Sequence, residues 1–177
     1  RDSSSLIQKY SKAELKGENT LSERYFQQAL SAAATAGRLE ETARLHLIRC
    51  ATRQASLVFE PCTTYLDLSK LAPNAEDAAY HRFISGAPEE LDSARIPAQY
   101  RDFMTAQDAA KRAQATEKIA DPLSRLIAIS ITVQRKQADA ALLHLGVETA
   151  SAQGWRKPLL VYLKLLEQQA GGNPAQQ

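Results

Sequence analysis

The chain has 177 residues, of which 44% are hydrophobic and 24% are charged, a composition that excludes intrinsic disorder and can bury the core of one domain. Its 22 basic and 20 acidic side chains leave a net charge of +2, which argues against binding to nucleic acid or anionic lipid as the main function. The longest apolar run, residues 126–133, is too short to span a bilayer, so no transmembrane helix is expected.

Two helices are predicted in the first part of the chain. Apolar periodicity predicts a first helix over residues 4–16, and Gly17 ends it. Thr20 and Glu23 have the spacing of a capping box, which predicts the start of a second helix. Gly37 stands where a left-handed residue is expected to end that helix.

The only two cysteines flank a predicted turn. A third helix is expected to run to about Leu57, after which the chain turns at residues 59–61. Cys62 would then enter a helix that returns antiparallel to the one that carries Cys50. Two cysteines so placed indicate a disulfide, and hence a protein of an oxidising compartment. The alternative is a pair of buried thiols in a cytosolic protein.

The start of the sequence bears on localisation. Residue 1 is Arg rather than Met, and residues 1–5 are polar and rich in serine. A removed signal peptide would leave such a start, and so would a short tether that follows a lipidated cysteine. An arbitrary boundary of the sequence is the alternative. Together with the cysteines, this start predicts a periplasmic or secreted protein, with anchoring at a membrane through a lipid as one form of it.

The rest of the chain is predicted to be helical, with an irregular middle. Prolines interrupt short helical segments between residues 63 and 97. A longer helix is expected over residues 98–118, and Asp121 followed by Pro122 has the composition of a helix start. The helix after Pro122 is apolar on nearly all sides, which predicts that it is buried. Two more helices should follow, separated by Gly154.

These predictions divide the single domain, residues 1–177, into four parts. An N-terminal hairpin stack is expected over residues 4–57 and irregular short helices over residues 63–97. A C-terminal helical stack follows over residues 98–170, and a loose tail over residues 171–177. The fold class is therefore all-α, with about seven to nine helices.

Two segments near opposite ends of the chain share one pattern of residue classes. They read Tyr25-Phe26-x-x-Ala29-Leu30-x-x-Ala33-x-x-x-Gly37 and Leu142-Leu143-x-x-Gly146-Val147-x-x-Ala150-x-x-x-Gly154. The pattern resembles the second helix of a tetratricopeptide repeat that runs into the next repeat. The resemblance covers about half of the chain, lacks the Trp-x-x-Leu-Gly opening, and does not keep the period of about 34 residues. It implies stacked antiparallel hairpins whose concave face holds a peptide or a partner protein.

The candidate functional residues are those of a binding surface. No glycine-rich phosphate loop, nucleophile elbow or His-Glu-x-x-His motif occurs in the sequence, so no catalytic, cofactor-binding or metal-binding residue is predicted. His46 and His144 fall within apolar helices and are expected to be hydrogen-bonded core residues. The residues proposed to bind a partner are Arg44, Arg49, Arg53, Tyr25 and Trp155.

Each of these residues also has a structural interpretation. The arginines could form a solvated face paired with Glu40 and Glu41, and Trp155 could be half-buried between hairpins. If the arginines are exposed, replacing Arg49 and Arg53 together by Ala should change stability by no more than about 0.5 kcal/mol. The sequence thus predicts a non-catalytic scaffold that binds or assembles proteins in the periplasm or cell envelope. The alternative is a small-ligand-binding protein or enzyme with its site between the helical halves.

Overall fold

The computed structural model describes residues 2–87 and 91–172. These residues form ten α-helices and two short 3-10 turns, and they contain no strand, so the all-α prediction is confirmed. The helices, in chain order from α1 to α10, are Ser3–Lys16, Asn19–Thr35, Leu39–Gln54, Thr63–Leu71, Ala75–Ile84, Arg101–Thr105, Ala109–Lys118, Pro122–Gln134, Ala140–Gln153 and Arg156–Ala170. Most of the predicted tail, residues 173–177, lies outside the described residues.

Consecutive helices pack as hairpins. The most extensive pairings are those of α1 with α2, α9 with α10, and α3 with α4. Helix α1 also contacts α10, so the first and last hairpins of the described chain lie against each other. This packing is compatible with a helical repeat fold.

The structure has more helices than predicted, because one segment that was predicted to be a single helix forms two. Residues 98–118 were predicted to form a continuous helix, which is wrong. The chain leaves the helical conformation at Ala106, and the side chain of Asp108 accepts a hydrogen bond from the amide of Lys111. This cap starts α7 as a separate helix, since an N-cap side chain satisfies an amide that has no partner inside the helix.

Glycine ends two helices as the sequence predicted. Gly17 has φ +79° and Gly154 has φ +68°, the left-handed conformation that glycine adopts without a steric penalty. The predicted capping box at the start of α2 is wrong. Helix α2 begins at Asn19, before Thr20, and no side chain caps it. The carboxylate of Glu23 instead accepts hydrogen bonds from Gln27 and Arg49.

The described chain contains two hydrophobic clusters. The larger one surrounds α8, whose residues Leu126, Ile129 and Ile131 are almost completely buried, as the apolar sequence of this helix predicted. The smaller one lies between α1, α2 and α3 and includes Tyr10 and Phe26. The larger cluster also includes Leu15 and Leu47, so residues from both halves of the chain share it.

The two cysteines form a disulfide, as predicted. Helix α3 ends at Gln54, and residues 55–62, here named the cysteine loop, return the chain to α4. Cys50 and Cys62 are bonded, with their Cα atoms 6.1 Å apart, which lies within the range that disulfides span. Leu57 and Cys62 have φ values of +62° and +54°, a conformation that non-glycine residues rarely adopt.

The hydropathy of the helices agrees with the sequence-based expectation. Within the part of the chain that the structure describes, no helix is both long enough and apolar enough to cross a membrane.

A close contact between α9 and α10 predicts the effect of one substitution. A Cβ atom on Gly146 would lie 3.0 Å from three ring carbons of Tyr162, and this ring is completely buried. We expect Gly146→Ala to lower the free energy of unfolding by about 1–3 kcal/mol, despite the better helix propensity of Ala, worth about 1 kcal/mol. Urea denaturation measures the loss, and an unchanged midpoint would mean that the two helices can move apart.

The control variant for this contact is Tyr162→Phe. The hydroxyl group of Tyr162 is buried without a hydrogen-bond partner in the described structure. Removing a buried polar group that lacks a partner is nearly neutral or stabilising. Tyr162→Phe should therefore keep or raise the stability, whereas Gly146→Ala lowers it.

Candidate functional site

The structure separates the three arginines that the sequence groups together. Arg44 points towards α5, where its Nε lies 3.1 Å from both carboxylate oxygens of Asp77. It also pairs with Glu40 at 3.1 Å. Arg49 and Arg53 lie on a different side of α3 and face α1 and α2. Arg49 and Arg53 are thus brought together and Arg44 is not; their role in partner binding stays a prediction.

Tyr25 and Trp155 are both half-buried. The ammonium group of Lys9 lies 5.8 Å from the centre of the Tyr25 ring. Trp155 precedes α10 and packs against the larger hydrophobic cluster. Trp155 is thus half-buried, and its role in partner binding stays a prediction.

A cleft that the sequence did not predict lies where the two ends of the chain meet. It is formed by the helices α1, α2, α3 and α10 and by the cysteine loop. Its volume is about 310 Å³, and we name it the charged cleft. The residues that line it are Glu14, Asn19, Ser22, Glu23, Arg53, Val58, Glu60 and Lys157.

The carboxylate of Glu14 is the centre of the charged cleft. Its side chain is only 5% exposed, and Lys157 of α10 binds its Oε1 at 2.7 Å. The hydroxyl of Ser22 donates to Oε2 at 3.0 Å, and Nε of Arg53 lies 3.8 Å from Oε1. A buried carboxylate is unfavourable unless it is paired and hydrogen-bonded. Glu14 therefore connects α1 to three other helices, and the contact with Lys157 joins residues 143 positions apart.

The outer part of the charged cleft carries both signs of charge. Arg53 contacts Glu60 of the cysteine loop at 3.3 Å. The side chain of Val58 is 40% exposed beside these ions. The outer part of the charged cleft therefore combines an exposed apolar side chain with paired ions.

Behind the cleft, polar groups are packed against aromatic rings. The guanidinium carbon of Arg49 lies 4.4 Å from the centre of the Phe26 ring, and its Nε is buried without a hydrogen-bond partner among the described residues. The hydroxyl of Tyr10 is also buried and unpaired there. Burial raises the pKa of Tyr10 far above its usual value, and the negative charge of Glu14 adds to this shift. These groups are held by packing, so Arg49 is a structural residue as well as a charged one.

The described structure has further openings besides the charged cleft, and two of them differ in size. One has a volume of about 280 Å³, and the residues that line it include Gln54, Phe59, Pro61, Cys62 and Gln134; we name it the disulfide cleft. The other is a surface groove of about 570 Å³ that runs along α2. The cysteine loop borders the charged cleft and the disulfide cleft, since Glu60 lines both.

The histidines have different surroundings. Among the described residues, no group of three or more His, Cys, Asp or Glu side chains is arranged to hold a metal ion. His46 is half-buried, with its ring 5.3 Å from that of Phe26. His144 is exposed on α9, so the prediction that it is a core residue is wrong.

Two histidines predict a dependence of stability on pH. Burial lowers the pKa of His46, with a further contribution from the charge of Arg49, and burial also lowers the pKa of His81. In the unfolded chain both histidines should have a pKa of about 6.5. In mild acid the unfolded state therefore binds more protons than the folded state. Their contribution to stability is therefore present above this pH and is lost as the pH falls through the folded-state pKa values.

We expect the free energy of unfolding, measured by urea denaturation, to decrease between about pH 7.5 and pH 5.5. The variant with His46→Gln and His81→Gln should show a smaller decrease over the same range. An equal slope in the double variant would assign the pH dependence to other groups.

Comparison of this chain with protein-family models, curated proteins and solved structures finds no match. The resemblance to tetratricopeptide repeats therefore rests on the two residue patterns and on the hairpin packing of the helices.

Proposed function

We propose that the protein is a non-catalytic scaffold that holds a protein or peptide partner at the charged cleft. The observation that carries this proposal is the cleft itself, at the junction of the first and last hairpins. Arg53 and Lys157 are partly exposed there, beside the exposed side chain of Val58. Charged groups at such a rim act mainly on association rate and specificity. No cofactor takes part in this proposal.

We propose also that the helices stack in the manner of irregular tetratricopeptide-like hairpins. Two hairpins carry the residue pattern, and both pack closely, α1 with α2 and α9 with α10. The contact between α1 and α10 supports a closed arrangement rather than an extended superhelix. The partner would then contact residues from both ends of the chain. Neither half of the chain could form such a binding surface by itself.

Capture of a partner by the parent protein and by two variants tests the proposed function. The purified protein is used as bait in an extract of its native source, with Arg53→Ala and, as the matched control, Arg44→Ala on the other side of α3. We expect one stoichiometric protein to bind the parent and the control and to bind Arg53→Ala less well. The difference should be larger at low salt, because exposed ions are screened. Circular dichroism checks that each variant is folded.

Three results would contradict the proposal. They are equal capture by both variants at every salt concentration, no stoichiometric partner at all, and a metabolite bound to the parent in native mass spectrometry. The last result would favour the alternative function, a small-ligand-binding protein or enzyme with its site between the helical halves.

We propose that the protein functions in the periplasm or outside the cell, in soluble form or tethered to a membrane by a lipid. The bonded pair Cys50–Cys62 supports this, because disulfides persist mainly in oxidising compartments. Protein isolated from its native compartment should resist alkylation until a reductant is added, and both cysteines should then react. Two reactive thiols before reduction would contradict export.

A further inference from the structure

The cysteine loop forms a shared wall between the charged cleft and the disulfide cleft. Val58 and Glu60 line the charged cleft. Phe59, Glu60 and Pro61 line the disulfide cleft on the other side. The position of this loop therefore determines the shape of both clefts.

Non-covalent contacts hold the tip of this loop only weakly. Residues 58–61 are exposed, so the tip buries little apolar surface. The pair between Glu60 and Arg53 is partly exposed, and pairs of this kind contribute little. The amide of Val58 donates to the carbonyl of Arg53 at 3.2 Å.

The disulfide holds the loop more firmly than these contacts. It connects Cys50, within α3, to Cys62, at the end of the loop. Cys62 is in the left-handed conformation with φ +54°, which is unfavourable for a residue with a side chain. Without the bond, the chain at Cys62 can relax to a more common conformation and carry residues 58–61 with it.

We propose that the Cys50–Cys62 bond is a redox-sensitive latch. In the oxidised protein it holds the cysteine loop as the wall of the charged cleft. In the reduced protein the loop leaves this position and the cleft opens, while the helices stay packed. This inference does not depend on whether a partner binds the cleft.

The chemical step is exchange with a dithiol, which is the reductant. One thiolate of the dithiol attacks a sulfur of the Cys50–Cys62 bond, forms a mixed disulfide and releases the other cysteine as a thiolate. The second thiol of the reductant then displaces the remaining cysteine. Two electrons and two protons pass to Cys50 and Cys62, and the dithiol becomes a disulfide.

Hydrogen exchange of the oxidised protein and of protein reduced with dithiothreitol tests the latch. We expect the amides of Leu57 and Val58 to exchange about tenfold faster or more after reduction, because local opening removes their protection. Amides in the interior of α2 and α8 should exchange as before. Acylation of Lys157 should become at least about threefold faster once the wall has moved, whereas Lys164, exposed on the same helix, is the internal control.

A variant that lacks both cysteines distinguishes the effect of breaking the bond from any other effect of the reductant. The protein with Cys50→Ala and Cys62→Ala should show the fast loop exchange without dithiothreitol and should not respond to it. Unchanged exchange in the cysteine loop after reduction would overturn the proposal. Faster exchange in all helices would also overturn it, because the bond would then maintain the whole fold rather than the loop.

Discussion

Replacing Phe26 by Ala should lower the free energy of unfolding by about 3–5 kcal/mol. This side chain is completely buried at the centre of the smaller hydrophobic cluster. Its ring lies 5.2 Å from that of Tyr10, 5.3 Å from that of His46, and 4.4 Å from the guanidinium carbon of Arg49. The substitution removes the apolar burial and the aromatic surface on which the cation rests.

Equilibrium urea denaturation measures this loss, and Tyr25→Ala is the matched control. Tyr25 is the adjacent aromatic residue on α2, but it is only half-buried. Its replacement should therefore cost less than that of Phe26. Equal losses, or a loss below about 1 kcal/mol at Phe26, would mean that the two faces of α2 are not packed as described.

Replacing Glu14 by Ala should lower the free energy of unfolding by about 2–3 kcal/mol. The change leaves the ammonium of Lys157, the hydroxyl of Ser22 and the guanidinium of Arg53 without their shared acceptor. The loss of stability is not larger because the side chains of Lys157 and Arg53, which lose their partner, are partly exposed and can reach water. The contact between α1 and α10 should loosen first.

A double-mutant cycle with Lys157→Ala isolates the contact between the two ends of the chain. We expect a coupling energy of about 1–2 kcal/mol between Glu14 and Lys157. Glu60→Ala is the control within the same cleft, since this carboxylate is more exposed and, among the described residues, pairs with Arg53 alone. This substitution should cost less than about 1 kcal/mol. Additive effects at Glu14 and Lys157 would contradict a direct contact between the hairpins.

Local patterns in the sequence predicted most of the elements. The run of apolar residues after Pro122 predicted that α8 is buried, because a helix that is apolar on all sides has no surface suited to water. Gly17 and Gly154 predicted helix ends, since few other residues adopt the left-handed conformation at low cost. The short separation of Cys50 and Cys62 predicted their bond.

The errors at helix ends have local causes. Thr20 and Glu23 match a capping box, but α2 begins one residue before Thr20 and the two side chains have other surroundings. Periodicity alone also suggested a single helix over residues 98–118. The cap at Asp108 separates α6 from α7. An interruption this short leaves the apolar periodicity of the whole segment nearly unchanged, so periodicity does not reveal it.

The charged cleft could not be predicted because its residues are distant in the sequence. Nothing in the sequence around Glu14 indicates that Lys157, 143 residues later, is its partner. The sequence alone predicts that the arginines of α3 are one exposed group, yet Arg49 rests on Phe26 and pairs with Glu23. We therefore expect the double replacement of Arg49 and Arg53 to cost more than the small change typical of exposed positions.

The central claim, that a protein partner docks at the charged cleft, is tested most directly by site-specific photocrosslinking in an extract of the native source. A photoreactive residue is placed at Val58, which lines the cleft, and in a second protein at Leu71, which is 73% exposed on α4 and does not line it. We expect one adduct of defined mass from position 58 and none from position 71. No adduct at position 58, or the same adducts from both positions, would contradict the claim.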